Sequence, residues 1–493
     1  MTVLTSLARA LAVEAERAQL IRTVRHVHIS DRPLVFIPLQ LAGEAAAPLA
    51  ACVGDDRDKP RLLVAGEPRN RTQRFEFAAT LAEDAILPYL GGYAVGQLAD
   101  KEVYPDAPQI LVPNPGGVKF IQHLGRSTRF RRTDGDYPVR PSVPLLGRWL
   151  SYYAERALHP ASALLLPVTS VLSAHWATGQ SATEDRNLAA IFGWIAPSPG
   201  KTGPAAALAA EDPSAWPPAG PATDPGFDRI LDGLLKDVRA AVLAGNGTEL
   251  DRARTALEIA LRSQVEPTWD LMWRAVDLLR SLPAGRCVAR RWAGDRSSFT
   301  GQVSWIRAGG APQARRDSAV SAARRLDRLE REQQQLAVQQ AYDDPLVMAE
   351  HRMSGEAFQG VVVEADPGRL DTSGKRPRLR PRITVETPDE VAAERGAELR
   401  RLERPKQKTE VIDVARAGER ARVTLELQSD MGQKLVPLPG SVPSAGDIVL
   451  YTALREDFQR PPEFPPPELT PWTHGGPPPQ YVPRDEDASE AWD

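Results

Sequence analysis

The chain has 493 residues and a formal net charge of −3, from 61 basic and 64 acidic side chains. A chain of this length exceeds what one hydrophobic core supports, and near-neutrality excludes a whole-chain attraction to polyanions. Only two cysteines, Cys52 and Cys287, are present. They exclude a disulfide framework and a cysteine-rich zinc site, and they predict a cytoplasmic location. No stretch has the character of a signal peptide or the length of a membrane span, so we expect no membrane partner.

Periodicity and composition divide the chain into five segments, which together predict a multidomain α+β protein. The predicted segments are a mixed α/β domain over 1–195, a Pro/Ala/Gly-rich linker over 196–226, a helical domain over 227–352, a small β-barrel over 353–455, and a disordered, Pro-rich acidic tail over 456–493.

The first segment opens with apolar residues at three-to-four spacing, including Leu4, Leu7 and Leu11, which predict a helix. Short β-like runs bounded by turn residues follow, and we predict strands over 33–41, 61–64, 74–77 and 109–112. The period then changes to that of helices, which we predict near 145–153, 161–176 and 183–194.

The middle of the chain is predicted to be helical from residue 227 to about 352. A short heptad-like seam runs through Ala322, Leu326, Leu329, Gln333 and Leu336. Because it covers only two to three heptads and contains a glutamine, we expect it to pack on its own domain rather than form a coiled-coil dimer.

After residue 356 the apolar period becomes two, which is typical of strands. We predict five strands, over 358–364, 376–386, 410–415, 420–427 and 447–454, and a charged helix over 389–404. Five short strands in about a hundred residues predict a small barrel of the OB or SH3-like kind. The sequence does not distinguish these two.

No recognised catalytic motif is present, so we predict no catalytic residue, metal ion or cofactor. His26 and His28 are alternate residues that would share one face of an extended strand, but no third ligand has a metal-site spacing. Together with Asp31 they are the residues to test under the alternative that the N-terminal domain is an enzyme.

Two basic segments suggest contact with nucleic acid. The first, over 119–132, interleaves cations with aromatic rings and contains no acid; its candidate binding residues are Lys119, Phe120, Arg126, Arg129, Phe130, Arg131 and Arg132. Cations would contact phosphates and rings would stack on unpaired bases. The alternative is a solvated segment whose phenylalanines belong to the core.

The second basic segment has arginines at period two between prolines, which would line one face of an edge strand. Its candidate residues are Lys375, Arg376, Arg378, Arg380 and Arg382. Such an edge could follow a nucleic-acid backbone, although charges and prolines on an edge also prevent aggregation between strands.

These patterns predict a non-catalytic accessory protein that engages nucleic acid or a nucleic-acid-processing partner, for example in a bacterial defence or helicase–nuclease system. Residues 283–340 contain eleven arginines and five acids, whereas residues 459–493 contain two basic and seven acidic residues. The Pro-rich acidic tail could therefore recruit a protein partner, which makes an adaptor protein the other alternative function.

Overall fold

The computed structural model describes residues 3–455, apart from 45, 46, 99, 100, 318, 375 and 433, together with residues 463 and 482. The predicted tail over 456–493 therefore lies outside the described residues, except at these last two positions. Two compact units are present: residues 5–333 belong to the larger, and residues 3–4 and 334–455 belong to the smaller. No helix among the described residues is both long and apolar enough to cross a membrane.

The larger unit contains helices and short strands in alternation. In chain order the elements are α1 (Val3–Glu14), β1 (Gln19–Leu20), β2 (Leu34–Gln40), β3 (Pro48–Gly54), β4 (Arg61–Val64), α2 (Arg71–Leu81), α3 (Leu87–Gly91), β5 (Gly96–Leu98), β6 (Lys101–Val103), β7 (Ile110–Val112), α4 (Pro115–Thr128), α5 (Ser142–Arg156), β8 (Leu165–Pro167), α6 (Val168–His175), β9 (Trp176–Ala177), α7 (Leu188–Ile195), α8 (Gly203–Ala209), α9 (Pro225–Ala244), α10 (Gly247–Ser281) and α11 (Val288–Arg307). A π-helical turn, Ala82–Ile86, joins α2 to α3, and a 3₁₀ turn, Glu184–Arg186, precedes α7.

A five-stranded sheet forms the centre of this unit, in the order β4-β3-β2-β7-β8. Strands β2, β3 and β4 pair antiparallel, whereas β7 is parallel to both β2 and β8. The first six residues of β2 are all buried, as expected for a strand covered on both faces. Helices α4 and α10 both contact it.

The helices after residue 225 pack into the same hydrophobic core as this sheet, rather than around a core of their own. Leu231, Trp269 and Phe299 are buried in one cluster with the strand residues. The indole N–H of Trp269 donates to the carbonyl of Arg57, which follows β3 (2.9 Å). Helices α9, α10 and α11 of the predicted helical domain therefore belong to the larger unit, because the apolar face of α10 covers the sheet, whereas residues 334–352 of that predicted domain belong to the smaller unit.

The Pro-rich segment over 196–226 also lies against the sheet. Gly220 has φ +80°, and a Cβ there would lie 2.3 Å from the carbonyl oxygen of Pro38, so only glycine fits. The amide of Gln40 donates to the carbonyl of Pro221, and the side chain of Asn114 donates to that of Gly220, both at 2.8 Å. Composition predicted an extended linker over 196–226, because amino-acid composition carries no information about specific backbone contacts such as these.

The predicted strand over 74–77 is instead part of α2. Asn70 caps this helix by accepting a hydrogen bond from the amide of Gln73. A side-chain cap supplies one of the partners that the first turn lacks, so it favours a helix even where the apolar residues Phe75 and Phe77 alternate.

A long helix and a barrel follow. The elements are α12 (Ala319–Asp343), α13 (Pro345–Met353), β10 (Ala357–Asp366), β11 (Leu370–Asp371), β12 (Arg378–Leu379), β13 (Arg382–Thr387), β14 (Glu398–Arg401), β15 (Arg404–Ala417), β16 (Arg420–Leu427) and β17 (Ile448–Thr452). The heptad-like residues lie in α12, where Leu326 is 58% exposed. Glu332 lies in the part of this helix that belongs to the larger unit, and it contacts the ring of His159 in the same unit (Oε2–Nδ1 2.7 Å).

The structure confirms a closed β-barrel in the C-terminal region, with six strands in the order β10-β13-β16-β15-β14-β17. Alternate residues of β16, including Val423 and Leu425, point into its core. The predicted charged helix over 389–404 is wrong, because this stretch supplies the sixth strand, β14, which pairs with β15 and β17.

Candidate nucleic-acid interface

The first basic segment begins on α4, which follows the short central strand β7. Asn114 caps the helix by accepting from the amides of Gly116 and Gly117. Lys119 and Arg126 are exposed and lie seven residues apart, so they share one face of the helix. Phe120 instead points inward, is only 4% exposed and contacts Phe36 of the sheet (ring centroids 6.1 Å). Its ring face is therefore not accessible to a base.

Arg129 is also buried, with 4% of its surface exposed. Its guanidinium donates to the carbonyl oxygens of Gln313 (2.8 Å) and Ala314 (3.4 Å). Arg129 therefore anchors the segment that follows α11, and we assign it a structural role and do not count it among the residues that a ligand can reach.

Arginines and aromatic rings from α2 and from the segment after α4 alternate in one stack. The guanidinium of Arg71 lies 4.7 Å from the ring centroid of Tyr137 and 5.2 Å from that of Phe75. The guanidinium of Arg131 lies 4.9 Å from the ring centroid of Phe75. Each such contact is attractive because a cation meets the negative face of a π-system.

A second stack surrounds Phe130, the chain neighbour of Arg131. Its ring lies 4.7 Å from the guanidinium of Arg129 and 5.8 Å from that of Arg315. Tyr137 is exposed, and the other members apart from the buried Arg129 are half-buried. We call these six residues the ladder; they are Arg71, Phe75, Phe130, Arg131, Tyr137 and Arg315.

Two acidic side chains close to the ladder are engaged by arginines. Arg132 pairs with Asp134 (3.2 Å), and Arg140 pairs with Glu76, the neighbour of Phe75 (3.3 Å). Both pairs are exposed, so each adds little to stability. They reduce the negative charge beside the ladder.

Sequence reasoning identified only the 119–132 part of this surface. It missed Arg71, Phe75, Tyr137 and Arg315, which the tertiary structure adds. A signal was present for two of them, because Arg71 and Phe75 are four residues apart and such pairs meet on a helix. The prediction of a strand over 74–77 concealed it.

The second basic segment does not lie on one strand, as predicted, but is divided between a two-stranded sheet and the barrel. Lys375 lies outside the described residues. Arg376 and Arg378 are exposed, and Arg378 belongs to β12, which pairs with β11 outside the barrel. Arg380 donates to the carbonyl of Gln428 (3.1 Å).

Arg382 begins β13, which has a partner strand on each side, β10 and β16. The strand predicted over 376–386 is thus divided. Arg378 and Leu379 form β12, an edge strand, whereas closure of the barrel pairs the strand that begins at Arg382 on both sides, so the predicted edge position is wrong for Arg382. The guanidinium of Arg382 also pairs with Glu426 (3.0 Å), which Arg369 contacts as well (2.6 Å). Glu426 therefore neutralises part of the positive charge of Arg369 and Arg382.

His26 and His28 do not share a face. His26 is buried and stacks on His175 (ring centroids 6.1 Å), whereas His28 stacks on Trp292 (4.0 Å). The segment is irregular at these residues, so the alternation expected of a strand does not apply. Within the described part of the chain, no group of three or more His, Cys, Asp or Glu side chains could hold a metal ion.

The ring of His175 is held in one neutral tautomer. Its Nε2 accepts from the amide of His26 (3.2 Å), so its Nδ1 carries the proton and donates to the carbonyl of Val171 (2.8 Å). Burial lowers the pKa of His175 to about 4. Protonation would remove the acceptor that the His26 amide uses and would place a charge in the core.

We therefore expect the larger unit to lose stability as the pH falls from about 6.5 to about 4, because the unfolded state binds the His175 proton first. The free energy of unfolding should fall by roughly 2 kcal/mol between pH 6.5 and pH 5 from this residue. Urea unfolding followed by tryptophan fluorescence at both pH values measures it. A His175→Gln variant should lose less stability over that interval, and an equal loss would contradict the assignment.

One cleft of about 390 Å³ lies between α7, α8 and the turn before α7. Its lining includes Trp194, Leu208, Glu184 and Glu211, and no histidine, cysteine or serine. Both cysteines are buried, and burial raises the pKa of Cys52 to about 12, so its thiol is not ionised at neutral pH. The lining of this cleft and the Cys52 thiol therefore supply no reactive nucleophile.

Comparison of the chain with protein-family models, with curated proteins and with solved structures gives no match. Functional assignment therefore depends on the physical properties of the ladder.

Proposed function

We propose that this chain is a nucleic-acid-binding protein whose contact surface is the ladder of the larger unit. The supporting observation is the stack in which guanidinium groups alternate with aromatic rings from Tyr137 through Arg71 and Phe75 to Arg131. Guanidinium groups contact phosphates, and partly exposed aromatic rings add contact area for bases. On this proposal the chain supplies binding and acts as an accessory subunit for a partner that carries out catalysis.

Preorganisation strengthens this assignment. Arg131 also donates from its Nε to the carbonyl of Ser127 (2.9 Å), which anchors its side chain to the end of α4. A guanidinium already held by rings and a carbonyl loses less conformational entropy on binding a phosphate than a mobile lysine does. Lys119 and Arg126 are exposed on the same basic segment and extend the positive charge, whereas Arg132 is paired with Asp134.

The test is fluorescence anisotropy with labelled oligonucleotides over a range of salt concentrations. For the wild type we expect binding whose affinity falls with salt, with a log–log slope of roughly 0.7 to 0.9 for each neutralised phosphate. An Arg71→Gln, Arg131→Gln double variant should bind roughly 10-fold more weakly at low salt and lower the slope by about two.

The matched control is an Arg376→Gln, Arg378→Gln double variant, which removes the same charge from the exposed hairpin beside the barrel. We expect its affinity to stay within about twofold of the wild type, since the proposed contacts lie elsewhere. Absence of salt-dependent binding by the wild type would refute nucleic-acid binding. A larger loss in the control than in the ladder variant would refute the ladder as its location.

A further inference from the structure

Tyr137 is the most exposed ring of the ladder, with 71% of its surface accessible. It lies between α4 and α5 in a loop closed by a hydrogen bond from the amide of Val139 to the carbonyl of Arg132 (3.0 Å). Gly135 turns this loop with φ +81°, a conformation that favours glycine. The ring is therefore presented to solvent by a short, closed loop.

The two faces of this ring have different surroundings. One face meets the guanidinium of Arg71 at 4.7 Å. With so much of the side chain exposed, the opposite face is open to solvent. An aromatic face left in water gains free energy when another flat, apolar surface covers it.

We infer that Tyr137 is a stacking platform for an unpaired base, and that it makes the ladder prefer single-stranded nucleic acid over duplex. This inference rests on the proposed function and specifies its substrate class. In a duplex the bases stack on each other, so Tyr137 meets only phosphates and groove edges. In a single strand, a base can turn out and cover the ring while the adjoining phosphates contact Arg71 and Arg131.

The neighbours of Tyr137 favour a base over a phosphate at this position. Of the two exposed carboxylates close to it in the chain, Asp134 is paired with Arg132, whereas Asp136 adds negative charge that disfavours a phosphate at the tip of the loop. Stacking does not depend on charge and is tolerated beside these carboxylates. In this arrangement Arg71 and Arg131 contact phosphates, and Tyr137 stacks on a base.

Three anisotropy probes of equal length separate stacking from phosphate contacts: a single strand, the same strand with abasic sites throughout, and a duplex. For the wild type we expect the intact single strand to bind most tightly. Tyr137→Leu should weaken its binding by roughly 5- to 100-fold, and leave binding of the abasic strand and the duplex within about twofold. Tyr137→Phe keeps the ring and should bind like the wild type.

The salt dependence gives a second readout, because stacking neutralises no phosphate. Tyr137→Leu should therefore keep the wild-type log–log slope, unlike the Arg71→Gln, Arg131→Gln variant. Since Tyr137 is exposed, its variants should unfold at the wild-type temperature, which excludes a folding defect as the cause.

The outcomes distinguish this inference from the proposed function. Equal binding of all three probes by both wild type and Tyr137→Leu would overturn the stacking platform and leave phosphate binding standing. No binding of any probe would overturn both. Displacement of the single strand by a polyglutamate peptide as effectively as by unlabelled oligonucleotide would assign the surface to an acidic protein partner instead.

Discussion

Replacing Asp295 by alanine is expected to lower the free energy of unfolding of the larger unit by about 3 kcal/mol or more. Asp295 lies on α11 and is 1% exposed. Its carboxylate accepts from the guanidinium of Arg156 (3.0 Å), the hydroxyl of Ser162 (2.7 Å) and the amide of Ala163 (2.7 Å). These three donors lie at the end of α5 and before β8, so one carboxylate joins the late helices to the sheet.

The cost arises because the alanine leaves several buried donors without an acceptor. The side chain of Arg156 is only 19% exposed, so its charge would lose its carboxylate where water compensates poorly. Burial raises the pKa of Asp295, although the same donors oppose the rise. The donors therefore offset only part of the cost of burying this charge.

Tryptophan fluorescence during urea unfolding measures this effect in the larger unit. Eight of the ten tryptophans lie in the larger unit, at 149, 176, 194, 216, 269, 273, 292 and 305. The other two are Trp472 and Trp492, and none occurs between residues 334 and 464. The control is Asp277→Ala, which removes an exposed aspartate paired with Arg57 and should cost less than about 1 kcal/mol. Ser162→Ala removes a single donor and should cost about 1 kcal/mol, which tests the cluster if Asp295→Ala fails to fold. Equal losses in the two aspartate variants would contradict the role of Asp295.

The second large effect is expected at Gly147, where α5 crosses α4. A Cβ at this position would lie 2.2 Å from the backbone nitrogen of Arg129 and 2.6 Å from the hydroxyl of Thr128. The first of these atoms is backbone, so relief requires the two helices to separate. Gly147→Val should therefore cost about 3 kcal/mol, at the upper end of what overpacking costs in a core.

This substitution should also affect the ladder, because Arg129, Phe130 and Arg131 follow the crossing directly. Thermal unfolding and oligonucleotide anisotropy should both change in Gly147→Val. Gly233→Ala is the matched control: Gly233 lies in α9, and a Cβ there has no atom within 4 Å. The alanine should raise stability by roughly 0.5 to 1 kcal/mol, through helix propensity, and leave binding unchanged. A Gly147→Val protein as stable as the wild type would show that the crossing can adjust.

The barrel was predictable because its signal is local. Strands such as Arg420–Leu427 alternate buried and exposed residues along the chain, and a period of two indicates a strand without knowledge of its neighbours. Closure was not predictable in the same way. Whether the strand beginning at Arg382 lies at an edge depends on β10 and β16, one of which follows it by more than thirty residues.

The candidate site likewise combines a pattern that is local in the sequence with contacts that arise only when distant segments pack together. The run of cations and rings over 119–132 is visible in the sequence, but inward and outward directions are not. Phe120 lies on the face of α4 that covers the sheet and is buried. Phe130, two residues beyond the end of α4, is only half-buried. Arg71 and Tyr137 join the ladder from positions 66 residues apart, and no local pattern relates them.

Local patterns in the sequence were enough to predict a small barrel, the basic segment over 119–132 and many helices and strands, but they gave the wrong element at 74–77 and at 389–404. Packing between distant segments places α9 to α11 in one core with the N-terminal sheet, buries Phe120 and Arg129, and brings Arg71, Phe75 and Tyr137 into the ladder. The physical reason is that periodicity is set by residues within a few positions, whereas burial and cation–π contacts depend on which surfaces pack together.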